Sequence, residues 1–333
     1  MKRLAAAVFT LLVFIGGARA EAPPVCTGND LLATLKADHP RDYDAVIAEA
    51  AEIPNGEAIF WKIEREGLKP SWLLGTAHVT DPRVTELSPA MSEALAGAST
   101  VALELKELRD PQAMAVASFR YAKLMVLPPD ESLWDLVPDD QESLVRDNPN
   151  LPPGAAGTLF GYQPWVVAAM LSIPPCEFAR KAAGLDTLDT IIARTSDKQH
   201  IPLEGLETVE EQLSVLSGMP VDLQVKYLLA VAKLGTRTAD YFETLISLYA
   251  QHNVPAYIPL MTRLEPMDKD GEAMMAFVEE ELTRKRNHTM ANRAAALLAK
   301  GNVFIAVGAL HLPGDEGLVE LIREAGYKVS PIN

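Results

Sequence analysis

The sequence predicts an α/β fold in which a mixed sheet is built from both ends of the chain, with a large helical insertion between them. A short apolar run precedes a Gly-x-x-His motif near each end, at residues 75–78 and 308–311. In both places the pattern predicts strand, histidine loop, helix and strand. Between about residues 110 and 300 the pattern is mostly helical. With 48% hydrophobic residues among 333, the chain can bury a sizeable core.

The first 20 residues have the composition of a secretory signal peptide. A basic start is followed by an apolar stretch at residues 4–15 and by small residues ending at Ala20. A membrane anchor is the alternative, but the stretch of about a dozen residues is shorter than the roughly 20 that a span requires. We therefore expect cleavage after Ala20, a mature chain beginning at Glu21, no stable membrane span after cleavage, and a secreted or periplasmic location.

The cysteine content and the charge narrow the protein class further. The chain has two cysteines, Cys26 and Cys176, and in an oxidising compartment a single pair favours a disulfide. A nucleophilic thiol is the alternative, although neither cysteine has a histidine near it in sequence. The formal charge of −15 argues against nucleic acid and anionic membranes as partners. The composition leaves the oligomeric state open.

Within this frame, residues 21–55 are predicted to form a peripheral helical arm and residues 56–333 the main domain. No stretch of the main domain is long or polar enough to act as a linker. Helices are predicted at residues 86–97 and 316–325. The predicted strands are residues 58–64, 71–74, 100–105, 200–205, 303–307 and 327–329.

The two motif histidines, His78 and His311, are the main candidates for function. Each directly follows a predicted strand, and in open α/β sheets ligands bind at the carboxyl ends of strands. The glycine before each histidine allows a sharp turn or a close backbone approach. A lone Gly-x-x-His would more simply be an ordinary surface or core histidine. Because the surrounding elements repeat as well, we expect both imidazoles at one site.

Glu104 completes a candidate metal site. Two neutral imidazoles and one carboxylate are a usual ligand set for a catalytic divalent ion that keeps a position open for water. Glu104 ends an otherwise apolar predicted strand, where a charge requires a partner. A solvated strand-end glutamate is the alternative. The predicted metal ligands are His78, Glu104 and His311.

Four further residues are candidates for supporting roles. Glu207 is the candidate general base, although the acids after it also suit the first turn of a helix. Asp186 is either a site residue or a helix N-cap. Arg286 could hold an oxyanion or a substrate carboxylate, and Asn287 could orient a ligand. The alternative for Arg286 is a solvated basic surface.

Several of these segments together resemble the TraB/GumN family, which includes the animal proteins named Tiki. The resemblance covers roughly residues 58–333 and implies an exported α/β protein with two G-x-x-H motifs at a shared site. Tiki-type members are metal-dependent proteases supported by manganese or cobalt, so the resemblance implies a divalent metal, Mn²⁺ or Co²⁺. The segments that carry it are residues 72–78, 101–105, 184–186, 203–208, 286–287 and 307–314.

The expected function is an exported, metal-dependent, peptidase-like hydrolase acting on a peptide or another small exported substrate. No G-x-S-x-G elbow is present in the sequence, which favours activated water as the nucleophile. One alternative is a metal-free hydrolase resembling erythromycin esterases, with a histidine as general base. Another is a non-catalytic ligand-binding or polysaccharide-assembly accessory protein, in which Tyr162, Trp165 and the rest of residues 161–170 line the pocket.

Overall fold

The computed structural model describes residues 24–152, 154–265 and 268–332. The predicted signal peptide, residues 1–20, and the predicted new N-terminus at Glu21 lie outside these ranges. Both therefore stay predictions.

One mixed sheet organises the described part of the chain. Its six strands there are β1 (Phe60–Glu64), β2 (Ser71–Thr76), β3 (Thr100–Leu103), β4 (Leu203–Gly205), β5 (Val303–Gly308) and β6 (Lys328–Pro331). Their order is β4-β3-β5-β2-β1-β6. The pairs β4/β3, β3/β5 and β5/β2 are parallel, whereas β1 is antiparallel to β2 and β6. The C-terminal β5 lies between two N-terminal strands, which confirms the predicted fold class.

Helices cover both faces of this sheet and form the insertion. In the described residues the α-helices are α1 (Leu31–Asp38), α2 (Pro40–Ala51), α3 (Pro82–Thr85), α4 (Pro89–Gly97), α5 (Pro111–Arg120), α6 (Leu133–Leu136), α7 (Glu142–Arg146), α8 (Pro164–Leu171), α9 (Pro175–Ala182), α10 (Leu188–Lys198), α11 (Val209–Ser217), α12 (Val221–Leu234), α13 (Thr238–Ala250), α14 (Tyr257–Leu264), α15 (Lys269–Phe277), α16 (Lys285–Leu298) and α17 (Leu318–Glu324). A π-helical segment, Val278–Arg284, leads into α16.

The strands are apolar because the sheet is covered on both faces. All residues from Val303 to Val307 in β5 are buried, as expected for a central parallel strand. Phe304 faces a cluster that includes residues of α4, α10 and α13. Its neighbour Ile305 faces the opposite cluster, with residues of α16 and α17. The alternation along β5 therefore produces a three-layer core.

The insertion and the N-terminal arm have their own apolar contacts. Helices α6, α8 and α12 contribute to a separate core cluster. In the arm, Leu35 and Val46 belong to a cluster with Leu248 and Leu260 of the insertion. Helices α1 and α2 lie in this arm and pack on the insertion helices.

Several predicted boundaries were wrong. The helix predicted at residues 86–97 begins at Pro89, because Ser88 caps it and proline suits the first helical turn. The strand predicted at residues 200–205 begins at Leu203, since His200 has a φ of 57°, which is incompatible with a strand. The strand predicted at residues 100–105 ends at Leu103, which places Glu104 in the loop beyond it.

Among the described residues, no single helix is long and apolar enough to cross a bilayer. The segments Val209–Ser217 and Val221–Ala250 are long and apolar enough only when taken together, and they are bent by 92° relative to each other.

A disulfide joins Cys26 to Cys176, with a Cα–Cα distance of 5.3 Å. The pairing predicted from the sequence is thereby confirmed. The bond connects the segment preceding α1 to the first turn of α9, across 150 residues of sequence.

Removing this cross-link is expected to destabilise the protein substantially. In the chain-entropy model a loop of this length restricts the unfolded state by about 5 kcal/mol, the upper end of typical disulfide effects. The Cys26→Ser/Cys176→Ser variant should therefore unfold at a clearly lower urea concentration than the oxidised protein, and reduced wild-type protein should behave like the variant. Urea midpoints equal for all three samples would contradict this expectation.

Candidate functional site

The candidate site lies at the carboxyl ends of the parallel strands. The register pairs Thr76 with Gly308 in β2 and β5, and Leu103 with Ala306 in β3 and β5. Since these strands are adjacent and end at the same edge, the residues that follow them emerge side by side. Four parallel strands of the described sheet thus deliver, just beyond their ends, His78, Glu104, Glu207 and His311.

The glycines of the two motifs make room for this convergence. A Cβ on Gly308 would lie 3.3 Å from Glu104 Oε1, 3.5 Å from His311 Cδ2 and 4.0 Å from His78 Nε2. A side chain at position 308 would therefore occupy the space that the three candidate ligands share. A Cβ on Gly75 would lie 2.9 Å from Ala309 Cα, so only glycine lets β2 pass this close to the second motif.

His311 is anchored by Asn287 of α16. Its Nδ1 lies 2.6 Å from Asn287 Oδ1, while Asn287 Nδ2 donates to the carbonyl of Glu316 at 2.9 Å. This second contact orients the amide, so Nδ1 of His311 is the donor and Nε2 keeps its lone pair. Burial, assisted by the positive charge of Arg286, lowers the pKa of His311 to about 4. His311 is therefore neutral at physiological pH.

His78 is anchored by a carboxylate. Its Nδ1 lies 2.8 Å from Asp189 Oδ2, and Thr76 donates to the other Asp189 oxygen at 2.6 Å. The Asp189 charge raises the pKa of His78 to about 9. The His78 side chain is 61% exposed, whereas Asp189 is almost fully buried. The imidazole is thus accessible to a ligand, while the buried Asp189 carboxylate fixes its Nδ1 side.

Asp189 was missed in the sequence analysis, which selected Asp186 nearby. Asp186 pairs with Arg194, and the N-cap of α10 is Thr187, so the N-cap alternative for Asp186 was wrong. A usable signal was present: Asp189 lies on the buried stripe of α10 beside Leu188, where a carboxylate requires a partner.

Arg286 joins the two candidate glutamates. It donates through Nε and Nη2 to both oxygens of Glu207, at 2.8 and 2.6 Å, and through Nη2 to Glu104 Oε2 at 2.9 Å. The other Glu104 oxygen accepts the Gly308 N–H at 2.7 Å. Burial opposes the ionisation of Glu104, but the two histidines, Arg286 and the Gly308 N–H hold its pKa below the usual range.

Gln212 is a second residue that the sequence analysis missed. Its Nε2 lies 2.9 Å from Glu104 and 3.0 Å from Glu207, so it bridges the same carboxylates as Arg286. A neutral amide within a helix offers no sequence signal for this role. Glu211, by contrast, forms a capping box with Thr208 at the start of α11, as the helix-terminus alternative for this acidic run predicted.

A cavity of about 490 Å³ opens beside His78 and Glu104. Asp186, Asp189 and Gln212 line it, as does Lys181. Tyr162 and Trp165, the alternative pocket residues, lie in the insertion and are not among its lining residues. Its apolar wall consists of Leu105, Leu108 and Leu185.

Comparison with known proteins places the chain in a family. The sequence pattern described as the TraB/PrgY/gumN family matches residues 59–331. The chain belongs to this family. The match includes every candidate site residue named above, and it agrees with the resemblance noted in the sequence.

Curated relatives of this family member are named metalloproteases. The chain is 26% identical over 317 residues to "Metalloprotease TIKI1" of Danio rerio, covering 82% of this chain and 62% of the relative. It is 26% identical to the Homo sapiens protein of the same name, with 82% and 61% covered. "Metalloprotease TIKI2" of Xenopus tropicalis is also 26% identical, with 82% and 59% covered. The chain thus spans about three fifths of the length of these relatives. No solved structure matches the chain.

The candidate ligands fit a divalent ion in chemistry, without forming a complete site. Within residues 24–152, 154–265 and 268–332, no three His, Cys, Asp or Glu side chains are arranged to hold a metal ion. Asp189 and Asn287 nevertheless make the contacts expected for partners of metal-binding histidines, since each holds Nδ1 of one imidazole and leaves its Nε2 for an ion. Glu104 uses three of its roughly four acceptor positions on Gly308, Arg286 and Gln212, which leaves one for an ion.

Proposed function

We propose that this family member is an exported, divalent-metal-dependent peptidase whose metal ligands are His78, His311 and Glu104. The observation that carries the proposal is the shared space at Gly308, which both imidazoles and the Glu104 carboxylate border. Metalloprotease names among the relatives support the reaction class. The family resemblance favours Mn²⁺ or Co²⁺ as the ion.

A bound divalent ion would polarise the scissile carbonyl and acidify a water molecule. The residues of the chain prepare the site for this chemistry. Asp189 and Asn287 fix the imidazole rings, and Arg286 places a positive charge beside Glu104, where it can also face a developing oxyanion. Both Glu207 oxygens accept N–H groups of Arg286, so proton transfer to Glu207 would require one of these bonds to open.

The cavity suggests how a peptide substrate would bind. Its wall of Leu105, Leu108 and Leu185 offers apolar contact for a side chain next to the scissile bond, and Lys181 adds a cation to the lining. We further propose that the protein acts outside the cytoplasm. The predicted signal peptide and the Cys26–Cys176 disulfide support an oxidising compartment.

The first test is metal dependence of peptide cleavage. Treatment with excess chelator should stop cleavage of a mixed peptide library, and added Mn²⁺ or Co²⁺ should restore it, because the proposed reaction needs the ion to activate water. Mass spectrometry would report cleavage and elemental analysis the bound metal. Chelator saturated with metal before addition serves as the control. Full activity in excess chelator, with no metal bound, would contradict the proposal.

A metal-free hydrolase is the second candidate, because the two histidines have different partners. The Asp189 carboxylate stabilises a protonated His78, which suits a proton donor, whereas the neutral Asn287 amide leaves His311 able to accept a proton. In this reaction His311 Nε2 would take a proton from water and His78 would deliver one to the leaving group. Chelator-resistant hydrolysis would favour this candidate. Peptide binding at the cavity without any hydrolysis would favour the non-catalytic alternative.

A further inference from the structure

Thr80, two residues after His78, is held by two charged residues of α9. Its N–H and hydroxyl donate to the two oxygens of Glu177, at 2.9 and 2.8 Å. Arg180 donates through Nε to the Thr80 hydroxyl and through Nη2 to its carbonyl, both at 2.9 Å. Every polar group of Thr80 is thereby bound by α9. We call these contacts of Thr80, Glu177 and Arg180 the Thr80 lock.

The Thr80 lock is buried, and its burial is costly. Thr80 and Glu177 are each 1% exposed and Arg180 is 6% exposed. Removing the charged Glu177 and Arg180 side chains from water costs free energy, which their hydrogen bonds to Thr80 offset in part. An apolar contact would hold the loop without this desolvation cost. Hydrogen bonds are directional and apolar contacts are not. The Thr80 lock therefore indicates that the loop after His78 is held in one fixed geometry.

Two further connections keep α9 in place against the same loop. Cys176, beside Glu177, is bonded to Cys26, and the neighbouring Asn29 N–H donates to Asp240 of α13 at 2.7 Å. Residues of α13 also hold the loop directly, since Glu243 accepts two N–H groups of Arg83, at 2.6 and 2.8 Å. The loop after His78 thus lies between α9 and α13, which the disulfide and the Asn29–Asp240 hydrogen bond connect through the N-terminal segment.

We propose that Glu177 and Arg180 are positioning residues for His78, and that the Cys26–Cys176 disulfide maintains the α9 placement on which they depend. The lock acts through the short Val79 connection, which keeps the imidazole over Asp189 and facing Glu104. This inference rests on the proposed function, because the proposed function is what assigns His78 to the reaction site. Its structural part, the placement of the imidazole, can be measured without any activity.

Thr80→Val in the full-length oxidised protein is the decisive variant. It keeps the shape of the side chain and removes the hydroxyl bonds to Glu177 and Arg180. The ¹H–¹⁵N signal of the His78 Nδ1–H, assigned by its loss in His78→Ala, should shift or broaden as the ring leaves Asp189. Peptide cleavage should show kcat reduced roughly 10- to 100-fold with KM nearly unchanged, since a misplacement of about 1 Å can cost this much.

Two matched variants separate positioning from general destabilisation. Thr80→Ser keeps the hydroxyl and should retain both the wild-type signal and kcat. Asn148→Ala removes buried hydrogen bonds to Leu144 and Ala232 in the insertion, and should lower stability without changing the His78 signal. An unchanged His78 signal in Thr80→Val overturns the inference whatever the activity shows. If the His78 signal changes in Thr80→Val but the wild type hydrolyses no peptide, the positioning inference is supported and only the proposed peptidase activity is contradicted.

Discussion

His311→Ala is expected to reduce peptide cleavage by a factor of about 10² to 10³ or more, comparable to the loss of one group that stabilises transition-state charge. The variant removes the imidazole ring that borders the shared space at Gly308 and leaves Asn287 without its imidazole partner. His78→Ala should have a similar effect. Steady-state kinetics with a cleaved peptide, together with metal content after dialysis, would measure the outcome.

The neighbouring helix offers a matched control for this experiment. His288 follows Asn287 on α16, but its ring pairs with Glu316 at the surface. His288→Ala should therefore retain activity and metal content. Asn287→Ala should show an intermediate loss, about 10- to 100-fold, because Asn287 would orient a metal ligand without contacting the ion. Wild-type turnover in His311→Ala would remove this residue from the reaction.

Arg286→Met is expected to lower the free energy of unfolding by about 3–5 kcal/mol, the usual effect of removing one partner from a buried ion pair. The side chains of Glu104 and Glu207 are 8% and 3% exposed, and Arg286 is the cation that contacts both. Without it, two buried carboxylates face each other. Urea unfolding at neutral pH would measure the difference.

An exposed pair provides the comparison for Arg286. Arg293 lies on α16, as Arg286 does, and pairs at the surface with Glu211 of α11. Arg293→Met should therefore change the free energy of unfolding by no more than about 1 kcal/mol. Adding Glu207→Gln to Arg286→Met should recover part of the loss, since one of the opposed charges disappears. Equal stabilities of Arg286→Met and Arg293→Met would show that the glutamates do not depend on Arg286.

The proximity of the two motif histidines could be predicted from the sequence because its signal is local. The apolar runs before residues 75–78 and 308–311 predict strands, and a histidine after each strand follows from reading along the chain. The parallel pairing of β2 with β5 then brings the histidines to one edge. Glu104 was recognisable for the same reason, since a charge at the end of an apolar strand requires a partner.

Other parts of the candidate site carry a weak local signal or none, because their roles come from contacts between distant segments. Asp189 contacts His78 across 111 positions, and Gln212 contacts Glu104 across 108. Neither side chain differs in type from many exposed polar residues. The Thr80 lock is similar, since nothing near Thr80 in sequence indicates that a buried Glu177 binds it. Such partners become apparent only when α9, α10 and α11 pack over the sheet edge.

The amino-acid pattern alone predicted the α/β class, the cysteine pair and the residues that follow each strand. Hydrophobic periodicity and chain order determine these features. Packing in three dimensions determined which groups touch these residues and therefore their charge states. His78 and His311 share the same motif, yet one ring rests on a carboxylate and the other on an amide. The Asp189 charge raises the pKa of His78, whereas burial and the Arg286 charge lower the pKa of His311. The electrostatic environment of a side chain depends on its spatial neighbours, which its own motif does not specify.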